Sequence, residues 1–266
     1  MAEIIKIRKQ AIMEYIGIDI GSTCAKVAVL DEDENILHQS VQPTGWSSVD
    51  TAEIIKNMLL EKGICPETGK VVATGYGRVS VPYADKTVTE ITCHARGAVW
   101  LHKKKDMTVI DIGGQDTKII ILENGMVKDF AMNDKCSAGT GRFLEVMANT
   151  MAVRPDALCE LARKGKKVKI SSMCTVFAES EVISLIGQGE KKENIAFAVV
   201  NSIADKVAAQ CSKMNVGTGE VFLTGGLCEC GYLQEILEQK LGSPVLTGPE
   251  CRYAGAIGAA LCSRNI

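Results

Sequence analysis

The sequence predicts an α/β protein made of two duplicated lobes that face each other across a cleft. The first observation is a repeat: the segment Asp19-Ile-Gly-Ser-Thr-Cys-Ala-Lys26 recurs as Asp111-Ile-Gly-Gly-Gln-Asp-Thr-Lys118, which indicates that one folding unit is used twice. The second is that apolar runs enter and leave each copy, a pattern typical of a strand, a tight turn and a returning strand. The third is that no low-complexity linker divides the copies, which favours a hinged cleft over two tethered domains.

Each copy of the repeat places an aspartate at the end of a strand and a glycine in the turn that follows. Glycine allows backbone N–H groups to approach an anion closely, and a strand-end aspartate suits a hydrated divalent metal ion. A single turn of this kind is also typical of an ordinary hairpin. Two such turns that face each other would hold a nucleoside triphosphate between the lobes.

The other elements of the first lobe follow from apolar spacing and local signals. We predict a helix over residues 48–62 with Ser48 and Asp50 as caps, a strand over residues 71–73, and a second helix over residues 91–101. In the second lobe, residues 221–226 have the pattern of a buried strand that runs into a glycine pair.

The lobe boundaries follow from the positions of the repeats. We assign residues 1–105 to the first lobe, with 1–13 as an extension, and residues 106–251 to the second lobe. Met13 is an alternative start of the chain, because the first strand follows it directly. The small-residue helix at about 252–266 is expected to pack back on the first lobe.

Composition excludes several classes of partner. The 266 residues are 46% hydrophobic, enough to bury a sizeable core. A formal net charge of −2 gives no reason to expect nucleic acid or an anionic membrane as a partner. No apolar run approaches the roughly 20 residues that cross a bilayer, and the N-terminus lacks the apolar core of a signal peptide. We therefore expect a cytoplasmic protein.

The chain has eleven cysteines, an odd number, and no export signal, so we expect reduced thiols rather than disulfides. Cys228 and Cys230 form a Cys-x-Cys pair that could bind a metal by spacing alone, but no matching second pair lies nearby. Seven other cysteines are expected to be small buried residues: Cys24, Cys65, Cys93, Cys159, Cys211, Cys251 and Cys262.

Cys136 and Cys174 differ from the other cysteines because each precedes a segment with helical apolar spacing. We therefore predict that each lies at a helix N-terminus. The free N–H groups there stabilise a thiolate, which is the form that binds iron or attacks an electrophile. Two buried structural thiols are the alternative when the spacing of the pair is taken alone.

Several of these segments resemble known families. The paired turns, the glycine pair at 225–226 and the small-residue helix resemble motifs of the actin, Hsp70 and sugar-kinase ATPase superfamily, whose lobes have a ribonuclease-H-like fold. The segments around Cys136 and Cys174 resemble those of the activator ATPases (component A) of 2-hydroxyacyl-CoA dehydratases, within the BadF/BadG/BcrA/BcrD ATPase family. The likeness extends to Gly17-Ile-Asp-Ile-Gly-Ser-Thr23, Ala73-Thr-Gly-Tyr-Gly-Arg78, Ala84-Asp-Lys86, Cys93-His-Ala95 and Ile110-Asp-Ile-Gly-Gly-Gln-Asp116.

This resemblance implies a role for each matching residue. Asp19 and Asp111 are expected to bind Mg²⁺ through water, and Cys136 and Cys174 to ligate a [4Fe–4S] cluster. The ATP- or ADP-binding residues are expected to be Ser22, Thr23 and Lys26 on one side of the phosphates, Gly113, Gly114 and Gln115 on the other, and Gly225 and Gly226 at the nucleoside.

Gln115 is the candidate for orienting the attacking water, with Asp19 and Asp111 as the other catalytic candidates. An amide can orient water but cannot take its proton, which suits slow hydrolysis gated by a partner. Asp116 follows Gln115, and strand alternation predicts that the Asp116 side chain points to the face of the strand opposite to Gln115.

The resemblance also implies a function. A four-iron cluster needs four thiolates, so a homodimer would share one cluster between two chains. ATP hydrolysis would drive one electron from this cluster, reduced by a ferredoxin or flavodoxin, to a 2-hydroxyacyl-CoA dehydratase.

Three other functions stay open at this point. The chain could be the ATPase subunit of a benzoyl-CoA-reductase-type enzyme, or a small-molecule kinase of the same superfamily, such as an N-acetylglucosamine or type III pantothenate kinase. It could also be a filament-forming or regulatory nucleotide-binding protein.

Overall fold

A computed structural model describes residues 13–171, 174–214, 216 and 219–266. Residues 1–12, most of the predicted extension, lie outside the described residues. The choice between Met1 and Met13 as the native start stays a prediction. Within the described ranges, no helix is long and apolar enough to cross a membrane.

The described residues form two five-stranded sheets with the same strand order. The strands are β1 (Tyr15–Ile20), β2 (Cys24–Leu30), β3 (Ile36–Pro43), β4 (Lys70–Thr74), β5 (Lys86–Thr87), β6 (Met107–Ile112), β7 (Thr117–Glu123), β8 (Met126–Asn133), β9 (Val221–Gly225) and β10 (Val245–Leu246). From edge to edge, the first sheet has the order β3-β2-β1-β4-β5, and the second has the equivalent order β8-β7-β6-β9-β10. In both, the first two strands in sequence are antiparallel, and the central strand pairs in parallel with the fourth strand in sequence.

The strand register repeats as well as the strand order. Asp19 pairs with Lys26 on β2, and Asp111 pairs with Lys118 on β7. The predicted duplication of a strand, a turn and a returning strand is therefore confirmed, and equivalent residues of the two sheets can be compared position by position.

Helices cover the sheets. They are α1 (Ser48–Glu61), α2 (Glu90–His102), α3 (Gly141–Thr150), α4 (Pro155–Ala162), α5 (Thr175–Gly187), α6 (Lys192–Lys213), α7 (Gly231–Leu241) and α8 (Ala254–Ser263). Ser48 and Asp50, the predicted caps of α1, are one and three positions too late, because the N-cap is Ser47, whose hydroxyl accepts a hydrogen bond from the Asp50 N–H at 3.2 Å. The placement of the N-cap hydroxyl decides where the helix begins.

Helices α2 and α8 lie between the two sheets. Helix α8 packs against β1, β2 and β4 of the first sheet and against α2. Helix α2 also contributes Ala95 and Ala98 to an apolar cluster with Val109 and Phe222 of the second sheet. The outer face of the second sheet packs against α3, α4, α6 and α7 in the largest core. The region between the sheets is therefore bordered by α2 and α8.

Candidate functional site

A cavity of about 410 Å³ lies between the two sheets, where the ends of β1 and β6 meet. Both turns of the repeat line it. The predicted site residues at its wall are Asp19, Ser22, Thr23, Lys26, Asp111, Gly113, Gly114, Gly225 and Gly226. The structure thus brings together, in one cavity, residues that are up to about 200 positions apart in the chain.

The two turns face each other at short distance. A Cβ atom at Gly114 would lie 2.2 Å from Thr23 Oγ1, so only glycine allows the second turn to approach the first this closely. The first turn is closed by a 3.1 Å hydrogen bond from the Gly21 N–H to the Cys24 carbonyl. The second is closed by a 2.9 Å hydrogen bond from the Gly113 N–H to the Asp116 carbonyl. This arrangement can hold a chain of phosphates between two sets of backbone N–H groups.

Gln115 lies on the second turn but is exposed and does not line the cavity. Its neighbours Gly114 and Asp116 do line it. The role of Gln115 in orienting water therefore stays a prediction.

Lys118, a buried lysine that lines the cavity, was not predicted from the sequence. The Lys118 ammonium lies 2.7 Å from Asp116 Oδ2, 3.0 Å from Glu90 Oε2 and 3.3 Å from Asp111 Oδ2. Asp116 and Gln115 do point in different directions, but it is Asp116 that is buried at the cavity wall, whereas Gln115 is exposed. Asp116 precedes β7, which begins at Thr117, so strand alternation does not apply to it. The repeat offered a signal for Lys118, which is equivalent to Lys26.

The buried charges in this cluster support one another. Burial acts to lower the pKa of Lys118, but the carboxylates of Asp111, Asp116 and Glu90 outweigh burial and raise the pKa above its usual value. For Asp111, burial acts to raise the pKa, but His94, Lys118 and Lys26 outweigh it and lower the pKa below its usual range. Lys118 and Asp111 therefore both remain charged near neutral pH.

His94 of α2 also reaches the cavity. It is buried, and its Nδ1 lies 3.6 Å from Asp111 Oδ1. This nitrogen has no hydrogen-bond partner among the described residues. The motif Cys93-His-Ala95 belongs to the family resemblance, but no role for His94 was predicted. The reason is that its contact joins α2 to β6 of the second sheet, which local patterns do not show.

Cys136 and Cys174 lie at a different place, on the outer side of the second lobe. Both are exposed, and both line a second cavity of about 660 Å³. The hydroxyl groups of the residues that follow them, Ser137 and Thr175, lie 2.9 Å apart. The structure thus brings the two cysteine segments together on one surface.

The two cysteines differ in their helix positions. Cys174 is the N-cap of α5, as predicted. The same prediction is wrong for Cys136, because α3 begins only at Gly141 with Thr140 as N-cap. Between Cys136 and the start of α3, the chain makes a turn in which the Thr140 N–H donates to the Ser137 carbonyl at 3.1 Å. Gly139 there has a φ of 90°, which a helix does not permit.

The start of α3 is bonded directly to the second turn of the nucleotide cavity. The Gly141 N–H donates to the Gly113 carbonyl at 2.9 Å, and the Arg142 N–H donates to the Gly114 carbonyl at 2.7 Å. These N–H groups belong to the first turn of the helix, where no carbonyl of the helix itself can accept from them. The segment that carries Cys136 is thus connected to the nucleotide cavity through α3.

The remaining cysteines are not among the residues predicted to bind the nucleotide or the cluster. Cys24 and Cys65 are only half-buried, so the prediction of full burial is wrong for these two. Cys228 and Cys230 are buried, and Cys230 shares a hydrogen bond with Cys159. Within the described residues, no group of three or more His, Cys, Asp or Glu side chains is placed to hold a metal ion.

Comparisons with known proteins agree with this geometry. The sequence profile of the BadF/BadG/BcrA/BcrD ATPase family matches residues 16–263. The (R)-2-hydroxyglutaryl-CoA dehydratase activating ATPase of Acidaminococcus fermentans is 42% identical over 252 residues, which covers 92% of this chain and 95% of that protein.

Solved structures give the same picture. The activator of the 2-hydroxyisocaproyl-CoA dehydratase from Clostridium difficile, solved with bound ADPNP, is 36% identical with a TM-score of 0.89 and covers 95% of each chain. A ROK family glucokinase from Streptomyces griseus, solved with glucose and AMPPNP, has a TM-score of 0.63 at 15% identity, over 95% of this chain and 100% of that one. The glucokinase likeness concerns the fold alone. The predicted fold class, a two-lobed ATPase fold of the sugar-kinase type, is confirmed.

Proposed function

The chain belongs to the BadF/BadG/BcrA/BcrD ATPase family, and we propose from this membership that it is an ATP-dependent activator of a 2-hydroxyacyl-CoA dehydratase. In this proposal the protein hydrolyses ATP in the cleft between the lobes and passes one electron to the dehydratase. Three relatives that match it over nearly their whole length carry names of such activators. A cytoplasmic location fits the eleven cysteines, since thiols stay reduced there.

The donor set at the second cavity fits an iron–sulfur cluster. Cys136 and Cys174 supply two exposed thiol groups on one surface, and thiolates are the usual ligands of [4Fe–4S] clusters. One chain thus offers two of the four ligands that such a cluster needs. A twofold homodimer would bring a second pair to the same place. When bound, the cluster would supply a one-electron carrier at the protein surface.

The observation that carries the proposal is the bonded path from the cleft to the cysteines. Hydrogen bonds join the second phosphate turn to the first residues of α3, and the Thr117 hydroxyl donates to the Gly139 carbonyl at 2.9 Å. Cys136 lies three residues before Gly139. A shift of the turn after hydrolysis would therefore be passed to the Cys136 segment through these hydrogen bonds.

The surroundings of the cysteines suit an acidic electron donor. Lys206 and Lys213 of α6 line the cavity that contains Cys136 and Cys174. Positive charge at a docking surface speeds the approach of an acidic partner. A ferredoxin or flavodoxin would suit this role. In the cleft, Asp19 and Asp111 are proposed to hold Mg²⁺ through water, because both carboxylates line the cavity at the ends of equivalent strands.

The proposal is tested by purifying the protein without oxygen and measuring iron, acid-labile sulfide and mass in solution. We expect about two irons per chain in a dimer, with iron lost in Cys136→Ala and in Cys174→Ala. Cys65→Ala is the matched control, because Cys65 is also accessible but lies in the first lobe. Iron-free protein that still binds ATP after anaerobic cluster reconstitution would contradict the proposal.

A further inference from the structure

A buried ion pair joins helix α2 to the second phosphate turn. Glu90 Oε2 lies 3.0 Å from the Lys118 ammonium, and the two side chains are 17% and 3% exposed. Glu90 is the first residue of α2, which packs against α8 and hence against the first sheet. Lys118 belongs to β7 of the second sheet. The pair therefore connects the helices between the lobes to the turn that faces the phosphates.

Lys118 also orients the carboxylates of the turn itself. Its ammonium contacts Asp111 and Asp116 as well as Glu90, so three carboxylates share one ammonium. Three neighbouring negative charges repel one another strongly in a buried place. Without the ammonium, the described residues would leave Glu90 an ion pair only with Arg78 at 3.9 Å. Asp111 would keep only His94 at 3.6 Å, and Asp116 would lose its ion pair. The positions of Asp111 and Asp116 at the cavity wall thus depend on where Lys118 is held.

Helix α2 makes a second contact with the cleft one turn later. Glu90 and His94 are four residues apart, so they lie on the same face of the helix. A Cβ atom at Gly255 would lie 2.7 Å from Asp19 Oδ2 and 2.9 Å from His94 Nε2. The His94 ring thus lies near the aspartates of both turns, and α2 is placed to set their spacing.

We propose that Glu90 is a positioning residue for ATP hydrolysis, which acts through Lys118 to hold the second phosphate turn in register with the first. The proposal rests on ATP hydrolysis in the cleft, and does not depend on the iron–sulfur cluster. Hydrolysis requires the attacking water, the metal ion and the phosphates to be aligned, and a small displacement of catalytic groups lowers the rate severely. Binding depends on the summed contacts of both turns and tolerates such a displacement better.

The test is Glu90→Gln, which keeps the size of the side chain and removes its charge. We expect kcat for phosphate release from ATP to fall about tenfold, whereas KM for ATP and the Kd for ADP change less than about threefold. Glu90→Asp keeps the charge on a shorter side chain and is expected to recover part of the rate. A role in stability alone would not separate kcat from nucleotide affinity in this way.

Two further variants complete the experiment. Glu220→Gln removes the partner of Lys104 in an exposed pair of 2.6 Å, and is expected to leave kcat unchanged. Lys118→Met is expected to lower kcat more than Glu90→Gln, and the double variant should be no slower than Lys118→Met, because Glu90 acts through Lys118. If Lys118→Met does not fold, the Glu90 variants alone decide.

Three outcomes would overturn the proposal. The first is a folded Glu90→Gln with kcat within twofold of the parent protein. The second is a loss of kcat matched by an equal loss of ADP affinity. The third is the absence of ATPase activity in the parent protein, which also contradicts ATP hydrolysis as proposed above. Iron content, measured separately, tests the cluster without bearing on Glu90.

Discussion

The two phosphate turns share one backbone pattern but carry different chemistry. The first turn presents hydroxyl groups, and its lysine, Lys26, is half-buried at the cavity wall. Among the described residues no carboxylate forms an ion pair with Lys26. The second turn presents an acidic side chain, and the equivalent Lys118 is buried among three carboxylates. Lys26 is therefore available to neutralise a phosphate, whereas Lys118 is committed to holding the protein's own carboxylates.

The inner faces of the two sheets differ in a related way. Gly17 on β1 is equivalent to Val109 on β6, because both lie two residues before the aspartate of the turn. Helix α8 packs on Gly17 at backbone distance, whereas Val109 is a full-sized core residue beneath α2. The first sheet thus packs tightly against a small-residue helix, and the second packs through ordinary side chains.

The largest effect is expected from Gly17→Ala. A Cβ atom there would lie 1.9 Å from the Ala256 carbonyl oxygen and 2.4 Å from the Ala260 nitrogen, and backbone atoms cannot rotate away. We expect loss of more than about 3 kcal/mol in the free energy of unfolding, or failure to fold. Val109→Ala should cost about 1–3 kcal/mol. Urea unfolding followed by far-UV circular dichroism compares the two, and equal losses would contradict the difference in packing.

The next effect concerns nucleotide affinity. Lys26→Met removes the cation of the first turn, and we expect ATP and ADP to bind about tenfold more weakly, since a charged hydrogen bond contributes about 1.4 kcal/mol or more. The kcat at saturating ATP should change less than about threefold. Titration calorimetry with ADP and a phosphate-release assay measure the two quantities. A kcat that falls while affinity is retained would show that the lysines have the opposite roles.

Hydrolysis is expected to depend on Gln115, the residue equivalent to Thr23 of the first turn. Gln115→Ala should lower kcat several-fold more than it lowers nucleotide affinity, because an amide that orients water contributes to the reaction and little to binding. Thr23→Ala is the matched variant on the opposite turn and should affect binding at least as much as kcat. Equal losses of kcat and affinity in Gln115→Ala would remove it from the catalytic residues.

Local patterns predicted both strand–turn–strand repeats, and they placed β4, β9, α1 and α2 within one or two residues of their observed ends. They gave no prediction for β3, β5, β8, β10, α4, α6 or α7. The runs before and after the two turns are almost continuously apolar, as expected of buried strands, and each turn contains the glycine that its geometry requires. The prediction for Cys136 was wrong because apolar spacing continues past a turn that contains Gly139, and spacing does not detect a positive φ angle. Helix starts depend on individual caps, which explains the error at Ser47.

The buried cluster of the cleft could not be predicted in the same way. Glu90 and His94 meet Lys118 and Asp111 only because α2 lies between the two sheets. That placement depends on the packing of α2 against α8, whose residues are more than 150 positions away in the chain. A single sequence shows the repeat that identifies Lys118, but it does not show which residue of α2 will contact Lys118.

The smallest expected effect is a change in the pH dependence of stability, which compares a histidine packed on the second sheet with a histidine of the first sheet. His102 ends α2 and stacks on Phe222 of β9, with ring centroids 3.7 Å apart. Burial lowers the pKa of His102 from 6.5 to about 4, although Glu220 acts to raise it. The unfolded chain therefore binds a proton between about pH 6.5 and pH 4 that the folded protein does not bind. The free energy of unfolding falls as pH decreases through this window.

His102→Gln should remove part of that pH dependence. A full shift of this size would contribute about 2 kcal/mol between pH 7 and pH 5, and we expect about 1 kcal/mol because the ring keeps some contact with solvent. His38→Gln is the control on β3 of the first sheet: burial also lowers the pKa of His38, and we expect a smaller change in slope. Urea unfolding at both pH values measures the difference. An unchanged slope in His102→Gln would mean that the end of α2 opens to water, so that α2 is held to the second sheet by Ala95, Ala98 and the Glu90–Lys118 pair rather than along its whole length.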